Sequence, residues 1–354
     1  MKTRLLSVSP DSPEPAVLRE AADVLRAGGL VAFPTETVYG LGADALNAEA
    51  VRRIYEAKGR PSRNPVIVHV RSMEQARELA AHWSPVVEAL AERYWPGPIT
   101  FVVKKHSCVP DIVTAGRDTV ALRCPSHAVA MALLKTAGCP IAAPSANLSE
   151  QLSPTTAQHV LQSLDGRIDL VLDGGPAQVG LESTIVDMTT QPPRLLRPGA
   201  ITVDALCDAC GPITIGAASI ADNEAFSSPG QMARHYAPRT RLICCEGAAA
   251  GAMVEAEVQA GRRVGWLRWT EERSVAATAK GNSIAAVMDM PADAASYAAR
   301  LYAALHELDA ARLDLIVATL PPDSEIWRAV RDRLLRAAGT ASPSTPAVNN
   351  VREN

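Results

Sequence analysis

Leu30-Val31-Ala32-Phe33-Pro34-Thr35-Glu36-Thr37-Val38-Tyr39-Gly40-Leu41-Gly42 is the stretch on which the fold turns. Its first four residues are apolar and read as a short buried strand that runs straight into Pro34 and Thr35. In open α/β sheets, ligand groups gather beyond such strand C-termini. Gly40 and Gly42 predict a tight turn or a close backbone approach. Upstream, Val17, Ala21, Val24 and Leu25 share one face of a helix over 15–27, which Gly28-Gly29 ends. Downstream, Val51, Ile54 and Tyr55 mark the inner face of a helix over 48–57, and Val66-Ile67-Val68-His69-Val70 reads as the next strand.

The alternation continues along the chain. Helices are expected over 72–81 and 85–94, then a strand over 99–104. A strand over 119–123 and a helix over 126–137 follow. Ile141-Ala142-Ala143 then leads into Pro144-Ser145. A helix over 155–164, a strand over 168–172 ending in Asp173-Gly174-Gly175, and a strand pair at 183–188 and 194–196 close the unit. This mixed order predicts an α/β domain over 1–205. Residues 206–239 are rich in Gly, Ala and Ser with little periodicity and read as a long connector. Strands at 241–245, 263–267 and 313–319, with helices at 293–308 and 324–337, predict a smaller, Rossmann-like parallel α/β domain over 240–338. The Pro/Ser/Thr/Asn-rich stretch 339–354 reads as a disordered tail.

The 354 residues are 47% hydrophobic but only 4% aromatic, so the core must be built from aliphatic residues and Ala. A formal net charge of −3 argues against a surface that coats nucleic acid at large and leaves room only for a local basic cleft. No run approaches the ~20 apolar residues of a membrane span, and the N-terminus carries no signal-peptide pattern. Seven scattered cysteines predict reduced thiols and a cytoplasmic protein. Cys207 and Cys210 have CxxC spacing, but no second pair sits at zinc-site distance, so no metal ligand is assigned.

Five loop motifs supply hydroxyls, cations and tight turns, the equipment of a site for phosphates and a small polar substrate. They are Pro34–Gly42, Lys58-Gly59-Arg60-Pro61, Pro144-Ser145-Ala146-Asn147-Leu148-Ser149 with Ser153-Pro154-Thr155, Glu182-Ser183-Thr184, and Ser228-Pro229-Gly230 with His235-Tyr236-Ala237-Pro238. Taken singly, each has a plainer reading. Thr35 caps a turn. Lys58 and Arg60 answer a helix dipole as surface cations of little weight in stability. His69 is a packed or surface residue of a strand. Arg123 pairs with an acidic side chain, and Glu182 pairs with Arg197.

In this order, the motifs resemble the YrdC-like family of L-threonylcarbamoyladenylate synthases in its long two-domain form, over roughly residues 10–340. The resemblance implies a twisted mixed sheet whose helices leave an open concave site. The implied reaction joins L-threonine, bicarbonate and ATP into threonylcarbamoyl-AMP and pyrophosphate. The product passes to a complex that modifies tRNA, with at most a weak tRNA contact by the chain itself. The resemblance assigns ATP to Lys58, Ser62, Thr119, Ser145, Ser153, Arg197 and Tyr236, with Lys58 and Arg60 as the catalytic cations. It assigns threonine to Thr35, His69, Arg123, Ala143 and Ser183. Mg²⁺ is expected to arrive with ATP. The connector is implied to fold back over the site as a lid. Two departures stand out: Glu150 where the family usually has Gly, and Gln231-Met232-Ala233 in place of a commoner Met-Lys-Tyr pattern. Other readings of the set are an RNA-binding module and a carbamoyltransferase of hydrogenase maturation. The latter would carry zinc-binding cysteine pairs and an acylphosphatase segment, which this sequence lacks.

Overall fold

The structure, a computed structural model, describes residues 2–216, 235–269 and 284–340. The Ser228-Pro229-Gly230 and Gln231-Met232-Ala233 readings, and the tail beyond 340, lie outside the described residues.

The first unit opens with β1 (Arg4–Ser7), α1 (Pro15–Arg26), β2 (Val31–Phe33), β3 (Gly40–Asp44), α2 (Ala48–Lys58) and β4 (Ile67–His69). It continues through α3 (Met73–Leu79), α4 (Pro85–Tyr94), β5 (Ile99–Lys104), α5 (Asp111–Thr114), β6 (Thr119–Arg123), α6 (Ala128–Ala137) and β7 (Ile141–Ala142). It ends with α7 (Ala157–Leu164), β8 (Leu170–Asp173), β9 (Thr184–Asp187), β10 (Arg194–Arg197), α8 (Val203–Cys210) and β11 (Thr214–Ile215). Its strands form one mixed sheet in the order β1-β8-β2-β3-β7-β4-β6-β5-β9-β10-β11.

The second unit comprises β12 (Leu242–Glu246), α9 (Gly247–Gln259), β13 (Val264–Arg268), β14 (Ala286–Asp289), α10 (Ala294–Ala310), β15 (Leu315–Leu320) and α11 (Arg328–Ala338). Its four strands pair in parallel in the order β12-β15-β13-β14. The expected α/β class with a mixed sheet and a smaller parallel domain is what the chain adopts.

The structure departs from the sequence reading in three places. Gly40 and Gly42 do not make a turn; they lie in β3, antiparallel to β2. The close approach is real, because a Cβ on Gly42 would come within 2.8 Å of both Phe33 and Ile141. The connector does not begin at 206, since Val203–Cys210 is a helix capped by Thr202 Oγ1, which accepts from Ala205 N at 3.3 Å. Its buried Leu206 gives it a reason to fold there. The edge strand β1 was not foreseen either, since Arg4–Ser7 is largely exposed and carries no alternation to detect.

The period-two alternation of the central strands sorts core from site. On β4 and β6, Val68, Val120 and Leu122 enter the main core together with the flanking Val66 and Val70. The opposite face carries Ile67 and Ala121, which pack with Val102, Ile185 and Leu196 in a small separate cluster. His69 and Arg123 have the same parity as Ile67 and Ala121 and are register partners across the parallel β4–β6 pair. A polar pair is thereby placed at the strand ends, above an apolar floor.

Candidate active site

Lys58 is the last residue of α2, and Gly59 stops the helix in the left-handed region at φ 60°. Gly59 N donates to Glu56 O and Arg60 N to Tyr55 O, the double closure of a Schellman end. This geometry turns Lys58 inward. Its Nζ donates to Ser145 O at 2.6 Å, and also to the backbone oxygen of Asn147. Lys58 is therefore not a surface cation answering a helix dipole; it is 2% exposed and ties α2 to the Pro144–Ser149 loop. Burial, with the Arg60 charge nearby, pulls its ammonium well below the usual lysine range.

Arg60 is buried too, its Nε donating to Asn64 O at 2.9 Å and Nη2 to Asn64 Oδ1 and Pro65 O at 2.7 Å each. Desolvation lowers its pKa to about 10.

Arg60 lines a cleft of about 500 Å³, counting the space open to solvent. The same cleft brings together Thr35, His69, Arg123, Ala143, Ser145, Ser183, Arg197 and Tyr236 of the expected set, and adds Thr37, Glu182 and His235. Thr35 Oγ1 donates to Val38 O at 2.7 Å and stands 2.8 Å from Thr37 Oγ1. Arg123 Nη1 donates to Thr37 Oγ1 at 2.8 Å, and Nη2 pairs with Glu36 Oε1 at 2.8 Å. The plainer expectation for Arg123, a protein carboxylate, thus holds, but its Nε and Nη2 lack hydrogen-bond partners of good geometry.

His69 Nδ1 has no partner either. Burial and the Arg123 charge drop the His69 pKa to about 3, so the ring is neutral. Ser183 Oγ lies 2.7 Å from Thr100 Oγ1 and accepts from Arg197 Nη2 at 3.2 Å. Arg197 Nε donates to Ser183 O at 3.0 Å and Nη1 to Tyr236 OH at 3.3 Å.

His235-Tyr236-Ala237 returns to the site after the undescribed residues. Ala237 N donates to Glu150 O at 2.9 Å, and Tyr236 is 1% exposed. Ser145 Oγ donates to Asn147 Oδ1 at 2.6 Å. Ser153 is buried, and its hydroxyl donates a hydrogen bond to Glu182 Oε1.

Four expected residues are off the cleft lining: Lys58 and Ser153, both buried, and Ser62 and Thr119. Ser62 is exposed on the turn after α2. Thr119 shares the site face of β6 but opens the strand, roughly 13 Å along it from Arg123 at ~3.3 Å per residue. The alternative in which Glu182 pairs with Arg197 does not hold, because the ion-pair partner of Glu182 is Arg333 of α11, at 2.7 Å. Reading the sequence missed Glu36 and His235, which sat unassigned inside quoted motifs. It also missed Arg333, whose only signal is a cation at helical spacing between Val330, Leu334 and Ala337. At the Glu150 departure the side chain is exposed, and only the backbone, at φ 69°, is unusual.

A mixed-sheet domain with a cation-rich cleft, joined to a second, parallel α/β domain whose Arg333 pairs with Glu182 of the cleft, defines a two-domain α/β protein equipped for anionic ligands. The comparisons carry this further. A family model described as "Telomere recombination" matches residues 23–199, and one described as "Threonylcarbamoyl-AMP synthase, C-terminal domain" matches residues 201–339. The threonylcarbamoyl-AMP synthase of Bacillus subtilis is 43% identical over 328 residues, covering 91% of this chain and 93% of its own. That of Pyrococcus abyssi is 41% identical over 327 residues, covering 91% and 94%. The crystal structure of P. abyssi Sua5 complexed with L-threonine superposes with a TM-score of 0.87 at 38% identity, over 96% of this chain and 98% of that one. The chain belongs to the threonylcarbamoyl-AMP synthase family, in its long two-domain form.

Proposed function

We infer that this chain condenses L-threonine, bicarbonate and ATP into threonylcarbamoyl-AMP, pyrophosphate and water. The observation that carries the reading is the convergence of Arg60, Arg123 and Arg197 with Thr35, Ser145 and Ser183 on one buried cleft, in a chain so similar to a protein solved with L-threonine. The threonine carboxylate goes to the underused fork of Arg123, beside Thr35, His69, Ala143 and Ser183. The phosphates go to Lys58, Arg60, Ser145 and Arg197, with Tyr236 and Ser153 supporting them. Ser62 and Thr119 would meet ATP only at its periphery.

Carbamate formation joins the threonine amine to bicarbonate carbon and releases water. A carbamate oxygen then attacks the α-phosphorus, and pyrophosphate leaves. Neither step needs a protein nucleophile. They need positioning, charge neutralisation and exclusion of bulk water, and the buried hydroxyls and guanidinium groups are suited to that work.

Among the described residues no group of three or more His, Cys, Asp or Glu could hold a metal. The one acidic lining residue, Glu182, is already paired. Mg²⁺ therefore belongs in this reading to MgATP as substrate, and no step is routed through a protein-bound ion. No helix among the described residues is long and apolar enough to cross a membrane. A cytoplasmic location and a tRNA-modifying complex that takes the product are part of the same reading. Incubation with isotopically labelled bicarbonate tests the reading: the label should appear in a threonine- and AMP-containing product. An adenylated threonine without the label would contradict it.

A further inference from the structure

We infer that Arg333, in the last helix of the second domain, is a positioning residue for the nucleotide half of the cleft, neutralising and orienting Glu182 so that a carboxylate can line a site built for phosphates. Glu182 is 5% exposed and Arg333 is 1% exposed. Arg333 Nε donates to Glu182 Oε2 at 2.7 Å, and Nη2 donates to Pro198 O at 2.9 Å. Its guanidinium carbon lies 5.2 Å from the ring centre of Tyr236. Tyr302 OH, from α10, lies 3.1 Å from each Glu182 oxygen. His306 Nε2 stands 3.2 Å from Ser153 O, and Ser153 hydrogen-bonds Glu182 in turn. Two helices of the second domain therefore converge on the carboxylate of the first.

The packing is continuous across this junction. Val38, Leu152 and Leu181 of the first domain share a core cluster with Tyr236, Leu301, Tyr302 and Leu305. The arrangement matters because Glu182 precedes Ser183, whose backbone and side-chain oxygens hold Arg197, and Arg197 reaches Tyr236. Burial alone would raise the Glu182 pKa, yet the Arg333 and Arg197 charges, together with hydrogen bonds from Ser153 and Arg333, hold the carboxyl below its ordinary value. Left charged and unpaired, this carboxylate would repel a triphosphate across a low-dielectric gap. The pairing gives the second domain a part in the site without touching substrate.

The inference rests on the proposed reaction only in naming ATP as the occupant. The test uses the full chain with Arg333→Gln, Tyr302→Phe and the double variant Arg333→Gln/Glu182→Gln, measuring KM for ATP and for threonine, kcat and thermal midpoint. In Arg333→Gln, KM for ATP should rise about tenfold or more while KM for threonine changes far less. Removing the opposing charge in the double variant should return KM for ATP to within about threefold of the parent. Tyr302→Phe, which keeps all charges, should raise KM for ATP about threefold.

A double variant as poor as Arg333→Gln would overturn the inference, because the Glu182 charge it removes would then not be what weakens ATP binding. An unchanged KM for ATP in Tyr302→Phe would overturn it even if Arg333→Gln does not fold. A parent enzyme that binds ATP but releases no pyrophosphate with threonine and bicarbonate defeats the proposed reaction instead. Calorimetric ATP affinity across the same variants still decides the role of Arg333.

Discussion

Arg123 Nη2 lies 2.8 Å from Glu36 Oε1, with both side chains buried, at the end of the strand whose register partner is His69. Glu36 is the counter-charge of Arg123, and both its oxygens lack well-aligned hydrogen bonds. Removing one partner of a buried pair costs roughly 3–5 kcal/mol. Glu36→Gln should lose stability on that scale, and saturating threonine should restore part of it by bringing a carboxylate to Arg123. Thermal shift decides this: the threonine-induced rise should be larger in the variant than in the parent. An equal or smaller rise would separate Arg123 from the substrate.

Lys58 is buried among the Ser145 and Asn147 oxygens, so its loss reaches stability as well as chemistry. Lys58→Met should destabilise by at least about 2 kcal/mol, through carbonyl groups left without donors. It should also depress pyrophosphate release far more than threonine binding. Because burial lowers the Lys58 pKa and a triphosphate would raise it, ATP binding at alkaline pH should take up protons. Calorimetry in buffers of different ionisation enthalpy reads this directly, and the uptake should vanish in Lys58→Met. Uptake that persists in the variant would assign it to another group.

Stability should fall in mild acid. An unfolded histidine binds a proton below about 6.5, whereas folded His69 resists until about 3 and His235 likewise. The unfolded state therefore binds more protons between those values. The stabilisation is complete above the upper value and is lost as pH falls toward the lower one. At pH near 5 each such ring costs about 2 kcal/mol. Denaturant melts at neutral pH and near pH 5 check this, and His69→Gln should show a shallower decline. A decline as steep as that of the parent would remove His69 from the account.

Glu150 holds φ 69°, a conformation that L side chains enter at a cost and glycine does not. Its backbone oxygen accepts from Ala237 N, so the conformation is fixed by the returning connector. Glu150→Gly should raise stability by up to about 1 kcal/mol, read as a thermal midpoint higher by a few degrees. A lower midpoint would show that the strain is absorbed elsewhere.

What the sequence disclosed follows from periodicity. Strands such as Ile99–Lys104 and Thr119–Arg123 were legible because apolar residues occupy alternate positions and enter the main core. The site was legible where small motifs stand next to strand ends. It was not legible where partners come from distant chain positions: Arg333 and Tyr302 are 151 and 120 residues from Glu182. Neither belongs to a motif, and helical spacing marks only the buried face on which each lies. The inward turn of Lys58 was hidden for a related reason. The four residues Lys58-Gly59-Arg60-Pro61 reveal a helix end, but only the Ser145–Asn147 loop, folded against it, makes that end interior.

The most direct measurement is pyrophosphate release from MgATP with threonine or bicarbonate omitted in turn. The account predicts release that needs both, with serine a poorer substitute for threonine. Release that proceeds without either would show a plain nucleotide hydrolase and contradict the assignment of the cleft to threonylcarbamoyl-AMP synthesis.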